Sequence, residues 1–224
     1  LRVTRLEHAV ELAAAQELAQ RRRESEGWAF LPAPMAHAAL DAERVLAETG
    51  DARRSDLLVD AACFARQLEL ARSSGCQILA DYVRALIDGA NLKSLVRTLR
   101  LKKDAAFLRE LLLPGGTVSP ERIVQHGFSS SAAELFAGSA LAQAAQAAEA
   151  AAAGGSLTEL ERLCDNAALN VIGRARRVPF GVEVPVGYVA ARENELMSVR
   201  LVITGLLAGI PADQIRERLR ETNG

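Results

Sequence analysis

Aromatic side chains are scarce here: Phe, Trp and Tyr together make up 4% of 224 residues. Sheets draw on aromatic and β-branched residues, whereas alanine and leucine, which dominate this chain, favour helices. Cysteine is also sparse. Cys63, Cys76 and Cys164 lie far apart and form no CxxC pair. That spacing argues against a thiolate metal centre and points to a reduced setting with ordinary packing. Net charge is −1 and the isoelectric point is near 6.4, so the electrostatic footprint of a nucleic-acid binder is missing. The best apolar run, "LVITGLLAGIPA" at 201–212, falls well short of the roughly 20 residues that span a bilayer. No cationic stretch followed by an apolar core opens the chain, so a signal peptide is not expected.

Half of the residues are hydrophobic and a quarter are charged, which is a globular composition. Punctuation falls at regular intervals. A first helix ends near Gly27, with the RRR triplet where cations suit the helix dipole, and "LPAP" at 31–34 breaks it. Further helices are expected from about Ala36 to Gly50, Ser55 to Gly75 and Gln77 to Lys103, the last with a continuation to Leu113. "PGG" at 114–116 is a turn, and Ser119-Pro120-Glu121 is a helix start. The serine cluster at 129–131 reads as a helix N-cap, and the Ala-rich stretch 139–153 as a packing helix that ends at Gly154-Gly155. Ser156 and Glu159 fit a capping box that opens a helix of clear 3.6-residue period. "VPFGVEVP" reads as a loop, followed by a long helix from Val186 to about Ala208 and a short one from Pro211. No segment alternates over a strand length, and an all-α fold is predicted.

The chain repeats itself. At a shift of 105, Gly50 falls on Gly155, Leu58 on Leu163 and Asp60 on Asp165. At a shift of 107, "IDGANLKSLVR" (87–97) lies on a second helix: Asp88 meets Glu195, Asn91 meets Ser198 and Lys93 meets Arg200. Tandem homologous helical domains are therefore expected, at 35–128 and 129–224, with 1–34 as the remnant of a first repeat or a linker. In each copy the acid and the Asn or Ser share one helix face, while the base five residues after the acid points elsewhere. The acid must then meet solvent or a base from another helix.

Asp88, Asn91 and Lys93 with their counterparts Glu195, Ser198 and Arg200 are the candidate site residues. A catalytic reading needs a cleft and a partner such as histidine. His8, His37 and His126 lie outside both copies and show no metal-binding spacing. A constellation that occurs twice on repeated helices is better read as a packing device that holds neighbouring helices in register, with Gly89 admitting a close neighbour. No catalytic residue, metal or cofactor is expected. "LLPGG" lacks the GKS/GKT ending of a phosphate loop, so no bound nucleotide is expected either. The basic runs "GRARR" (173–177) and "RTLRLKK" (97–103) read first as solvated residues near helix ends, and second as docking patches for an acidic surface or lipid headgroups. "LVITGLLAGIP" is expected in the core, or else as a face that meets a membrane ring.

"IDGANLKSLVR", "LLPGGTVS" (112–119) and "VPFGVEVPVGYVAARENELMSVRLVITGLLAGIPADQIRERLR" (178–220), in that order and spacing, resemble the C subunit of V-type and A-type ATP synthases, which is the d subunit of eukaryotic vacuolar ATPases. The resemblance covers roughly 40–222. It departs from the family pattern at Met197-Ser198, where Lys/Arg-Asn is more usual, and at Arg192, where a lysine is more usual. It implies a funnel of three helical domains on the cytoplasmic face of the membrane, peripheral to it. The funnel would connect central stalk subunits to the proteolipid ring and transmit torque for proton or sodium transport. Two repeats and a remnant are visible and the chain opens on Leu1, so an incomplete chain is expected. The rival readings are an unrelated helical-repeat scaffold for a cytosolic protein, which explains the repeat but not the specific motifs, and an all-α enzyme.

Overall fold

The computed structural model describes residues 33–221. The helix expected before Gly27 and His8 lie outside them. Among the described residues the fold is all-α. The chain divides into two compact units, with the boundary at Cys63–Phe64.

The first unit contains α1 (Ala33–Thr49) and the opening turns of α2 (Ala52–Ser73). Gly50 takes φ +65°, a left-handed conformation that suits a residue just past a helix end, and its N–H reaches Leu46 O at 2.8 Å. Asp51 Oδ1 then accepts from Arg53 N at 3.1 Å and starts α2. The buried Ser55 hydroxyl donates to Ala42 O at 3.0 Å, tying the two helices together.

The second unit is built on α3 (Gln77–Arg100), which packs chiefly against α8 (Leu157–Gly173) and next against α7 (Ala142–Ala152). Between α3 and α7 come α4 (Ala105–Leu111), α5 (Pro120–His126) and α6 (Ala132–Phe136). After α8 follow a 3₁₀ turn (Arg174–Arg177), α9 (Glu183–Leu207) and α10 (Ala212–Arg218). Leu92, Leu95 and Val96 of α3 form the centre of the core with Leu108, Ile123, Phe136, Leu141 and Leu160. From α7, Ala144, Ala145, Ala148 and Ala151 contribute a buried stripe. Their small side chains let the α7 backbone come close to its neighbours, as the alanine-rich sequence implies.

Local chemistry sets most boundaries. Asp104, Ser119, Ser131 and Ser156 each accept a hydrogen bond from the N–H three residues on, at 2.9, 3.3, 3.1 and 3.1 Å. The expected run of α3 on to Lys103 and Leu113 is interrupted. Lys102 adopts φ +51° and Asp104 caps a new helix, so α3 stops at Arg100. The expected loop at 178–185 is shorter than predicted, because α9 begins at Glu183 and carries Pro185 in its first turn, where no N–H partner is lost.

The stretch 201–211 departs from its expected place in the core. Gly205 is buried, where an added Cβ would meet Ile215 Cδ1 at 2.8 Å. Around it Ile203, Leu206 and Leu207 are exposed, Leu207 by 84%. The short α10 returns across this end of α9, and its Ile215 covers the glycine. Apolar composition predicted burial, but no element among the described residues covers these three side chains.

Leu92 is fully buried at the centre of the core. Leu92→Ala should lower unfolding free energy by about 2–5 kcal/mol through lost burial and the cavity left behind. A guanidinium titration followed by circular dichroism checks this, and an unshifted midpoint would refute the central position given to α3.

Candidate functional site

Asp88 and Asn91 sit three residues apart on α3, so their side chains leave the same face. Both are fully buried. Asp88 Oδ2 accepts from Thr117 N at 3.1 Å, and Asp88 Oδ1 from Val118 N at 3.2 Å. Asn91 makes a reciprocal pair with one residue: its Nδ2 donates to Leu113 O, and its Oδ1 accepts from Leu113 N, both at 2.8 Å. Four hydrogen bonds from one helical turn thus hold both ends of the segment 113–118. The Pro-Gly-Gly turn bulges between them.

The glycines follow from this clamp. Gly115 takes φ +101°, and a Cβ there would lie 2.6 Å from Leu68 Cδ2. A Cβ at Gly116 would collide with the Asp88 carboxylate. "IDGANLKSLVR" and "LLPGGTVS" are therefore two halves of one device. The turn resembles a phosphate loop only in composition. The N–H groups of Thr117 and Val118 point at an internal carboxylate.

The expectation of a cross-helix base for Asp88 meets a different arrangement. Its direct partners are the backbone amides of Thr117 and Val118 and the Thr117 hydroxyl, with Arg84 a further positive influence. Burial pushes the carboxyl above its ordinary value, and the N–H donors, the Thr117 hydroxyl and Arg84 only partly offset that. Gly89, next along, faces α8 at Cys164, where an added Cβ would sit 3.5 Å from the Cys164 Cβ. Burial likewise pushes the Cys164 thiol up to about 12, which leaves it protonated and unreactive.

Lys93 points away from the clamp. Its Nζ lies 3.8 Å from Asp165 Oδ1, and Arg220 binds the other oxygen through Nε and Nη2, each at 2.7 Å. Asp165 thereby links α3 and α8 to the chain after α10. These groups are partly solvated, so each pair contributes about 1 kcal/mol or less. The basic run after Val96 is used inside the chain as well: Arg97 pairs with Glu161 at 2.7 Å, and Arg100 donates to Gly155 O at 3.3 Å.

The second copy of the motif is placed differently. Glu195 is exposed and pairs with Arg192 along α9, Ser198 is half-buried, and Arg200 is exposed. The structure does not bring these three together with Asp88, Asn91 or Lys93. The buried polar residue of α9 is Asn194, whose Nδ2 donates to Glu221 O at 3.2 Å. From α8, Asn166 Oδ1 accepts from Glu221 N at 3.0 Å. Two asparagines therefore grip the backbone beyond α10. Asparagine inside a helix lowers helix propensity, and that was the available signal. Among the described residues no group of His, Cys, Asp and Glu could hold a metal ion.

Residues 15–218 match the family described as the ATP synthase (C/AC39) subunit. The chain belongs to this family. It is 27% identical over 145 residues to the C subunit of the A-type ATP synthase of Thermococcus onnurineus (strain NA1), and 26% identical over 145 residues to that of Desulfurococcus sp. (strain SY). Each alignment covers 62% of this chain and 38% of the relative. No solved structure matches significantly. Among the described residues, no helix is long and apolar enough to cross a membrane.

Asp88→Ala should destabilise the second unit by about 1–3 kcal/mol, because it leaves the amides of Thr117 and Val118 without their acceptor. A lowered melting temperature is expected, and an unchanged one would refute the clamp. A pH dependence follows from the raised carboxyl. The folded state holds the Asp88 proton more tightly than the unfolded state, whose value is about 3.9. Its contribution to stability is therefore fully present below that value, and falls as pH rises towards the folded value. The difference in melting temperature between the native chain and Asp88→Asn should change across that window in this direction. Parallel curves would contradict the assignment.

Proposed function

We propose that this protein is a non-catalytic rotor connector of an A/V-type ATP synthase. In this reading it links central stalk subunits to the membrane proteolipid ring and transmits torque for ATP-coupled proton or sodium transport. The observation that carries the proposal is the family match across residues 15–218. It works from the cytoplasmic face as a peripheral component, attached through protein contacts. The segments 35–128 and 129–224 are homologous repeats in a funnel of such domains, with 1–34 belonging to a first one. Asp88, Asn91 and Lys93 have a scaffolding role, as do Glu195, Ser198 and Arg200 in the second copy.

Two features support this reading. The feature most open to an enzymatic interpretation, the buried acid beside a glycine-rich turn, has its hydrogen-bonding capacity directed at the protein's own backbone. A connector also needs surface for partners, and α9 exposes Val189, Leu196, Val199, Ile203 and Leu206. Contiguous exposed apolar patches mark interaction sites.

Co-expression with cognate stalk and proteolipid subunits, followed by affinity purification and size exclusion, tests the proposal. The chain should co-elute with at least one of them, and Leu196→Glu with Ile203→Glu should weaken that association while leaving the melting temperature unchanged. Absence of any association would overturn the connector role, and ATP hydrolysis by the purified chain would overturn its non-catalytic character.

A further inference from the structure

α9 turns one face to its own unit and another to solvent. Ala190, Asn194 and Gly205 are buried, and a Cβ added at Gly187 would lie 3.0 Å from the Cβ of Ala175. The opposite face carries Val189, Arg192, Leu196, Val199, Ile203 and Leu206. Their spacing alternates between three and four residues, which is the a/d pattern of a heptad repeat with Val189, Leu196 and Ile203 at a. Five of the six are apolar, and those five are 52–66% exposed. An apolar stripe along a helix marks a face that packs. This stripe has the period of a helix–helix seam, and it runs for about 26 Å.

The residues beside the seam say which helix fits it. Along the a side the flank is Val186, Glu193, Arg200 and Leu207, all exposed. Let two copies of α9 lie antiparallel, with Leu196 of one against Val199 of the other. Val189 then meets Leu206, and Arg192 meets Ile203. The same register sets Glu193 beside Arg200 of the second copy and Val186 beside its Leu207, each contact occurring twice about the dyad. Acid meets base and apolar meets apolar along the whole flank. On the other flank Glu195 meets Val202, so no like charges come together. An in-register parallel pair fails here, because it stacks Arg192 on Arg192 in the seam. In the antiparallel pair the Arg192 stem lies over Ile203 while its guanidinium stays with Glu195 of its own helix. A flank that complements its own reversal singles out a second copy, since any other partner would leave that symmetry without a cause.

We propose that two copies of this chain pair through antiparallel α9 helices, with Val189–Leu206 as the seam and Glu193 with Arg200 setting direction. The seam is short, so the pair forms and separates with concentration. It covers the apolar face that the connector reading offers to other subunits, and the pair opens when one of them takes that face. The inference does not rest on the connector reading. Pairing is measured on the isolated chain, whereas association with stalk or ring subunits is measured only in mixtures.

Sedimentation velocity of the whole 224-residue chain over a concentration series should show a monomer–dimer equilibrium. Leu196→Glu with Ile203→Glu should leave a monomer throughout, with the native circular dichroism. Glu193→Arg should weaken the dimer about tenfold, because it turns two attractive pairs into two repulsive ones. Arg200→Glu should weaken it to the same degree. Combining Glu193→Arg with Arg200→Glu should restore the dimer, since opposite charges face each other again. A parallel pair would not be restored, because the acid introduced at 200 would face Glu195. Hydrogen exchange of the native chain locates the contact without any variant: protection across 189–206 should rise with concentration. A single monomeric species at every concentration, assembly beyond the dimer, a dimer that survives in a folded Leu196/Ile203 variant, a folded double exchange that stays weakened, or protection at 189–206 that does not change as the dimer forms would each overturn the proposal.

Discussion

The second unit depends on a carboxylate and an amide that α3 keeps inside the protein to hold a turn. Asp88 and Asn91 have no exposure, and between them they bind the backbone of Leu113, Thr117 and Val118. Burying a carboxylate is costly unless donors surround it. Here two of the donors are main-chain N–H groups, which cannot swing away as a lysine could, and the Thr117 hydroxyl joins them. The turn gains fixed entry and exit points, so the segment after it leaves in a defined direction. Ser119 caps α5 one residue beyond Val118, and Ile123 of α5 is fully buried in the core. The polar clamp and the apolar core are coupled, since moving the turn would withdraw Ile123.

The same helix organises its other neighbours by size and not by polarity. Gly89 faces Cys164 of α8, and the alanine stripe of α7 fills the space beside Leu92 and Leu95. Small residues on α7 and at Gly89 allow close helix approach, while the long aliphatics of α3 fill what remains. At the solvent edge, Arg97 with Glu161 and Lys93 with Asp165 run from α3 to α8. Those pairs add little stability singly, but they penalise a helix that slides past its neighbour.

What the sequence reveals divides along physical lines. Helix starts at Ser119, Ser131 and Ser156 were legible because an N-cap is a contact across three residues. The all-α class was legible because composition and period agree. The partner of Asp88 was not. Periodicity says which face a side chain shares, and nothing about a turn 30 positions on. Both "IDGANLKSLVR" and "LLPGGTVS" stood out as motifs, but their mutual contact was hidden by that separation. For the same reason "LVITGLLAGIP" suggested a core position: hydropathy records a need for cover, and the tertiary fold decides whether this chain supplies it. The match of Asp88 to Glu195 holds as a pattern of residue types, yet one is buried and the other exposed. The grip of Asn166 and Asn194 on Glu221 had only a weak signal, asparagine within a helix.

Apolar and polar contacts divide the work differently on the surface and inside the second unit. On α9, Val189, Leu196, Val199, Ile203 and Leu206 supply exposed apolar area, and burial of area gives affinity without fixing orientation. Orientation needs polar groups at set positions. Inside the unit both are present. Apolar contact between α3, α7 and α8 gives the core its cohesion, while the hydrogen bonds of Asp88 and Asn91 fix where the turn sits. A core held by apolar contact alone resists separation better than sliding, so the clamp supplies the register that the aliphatic side chains of α3 leave open.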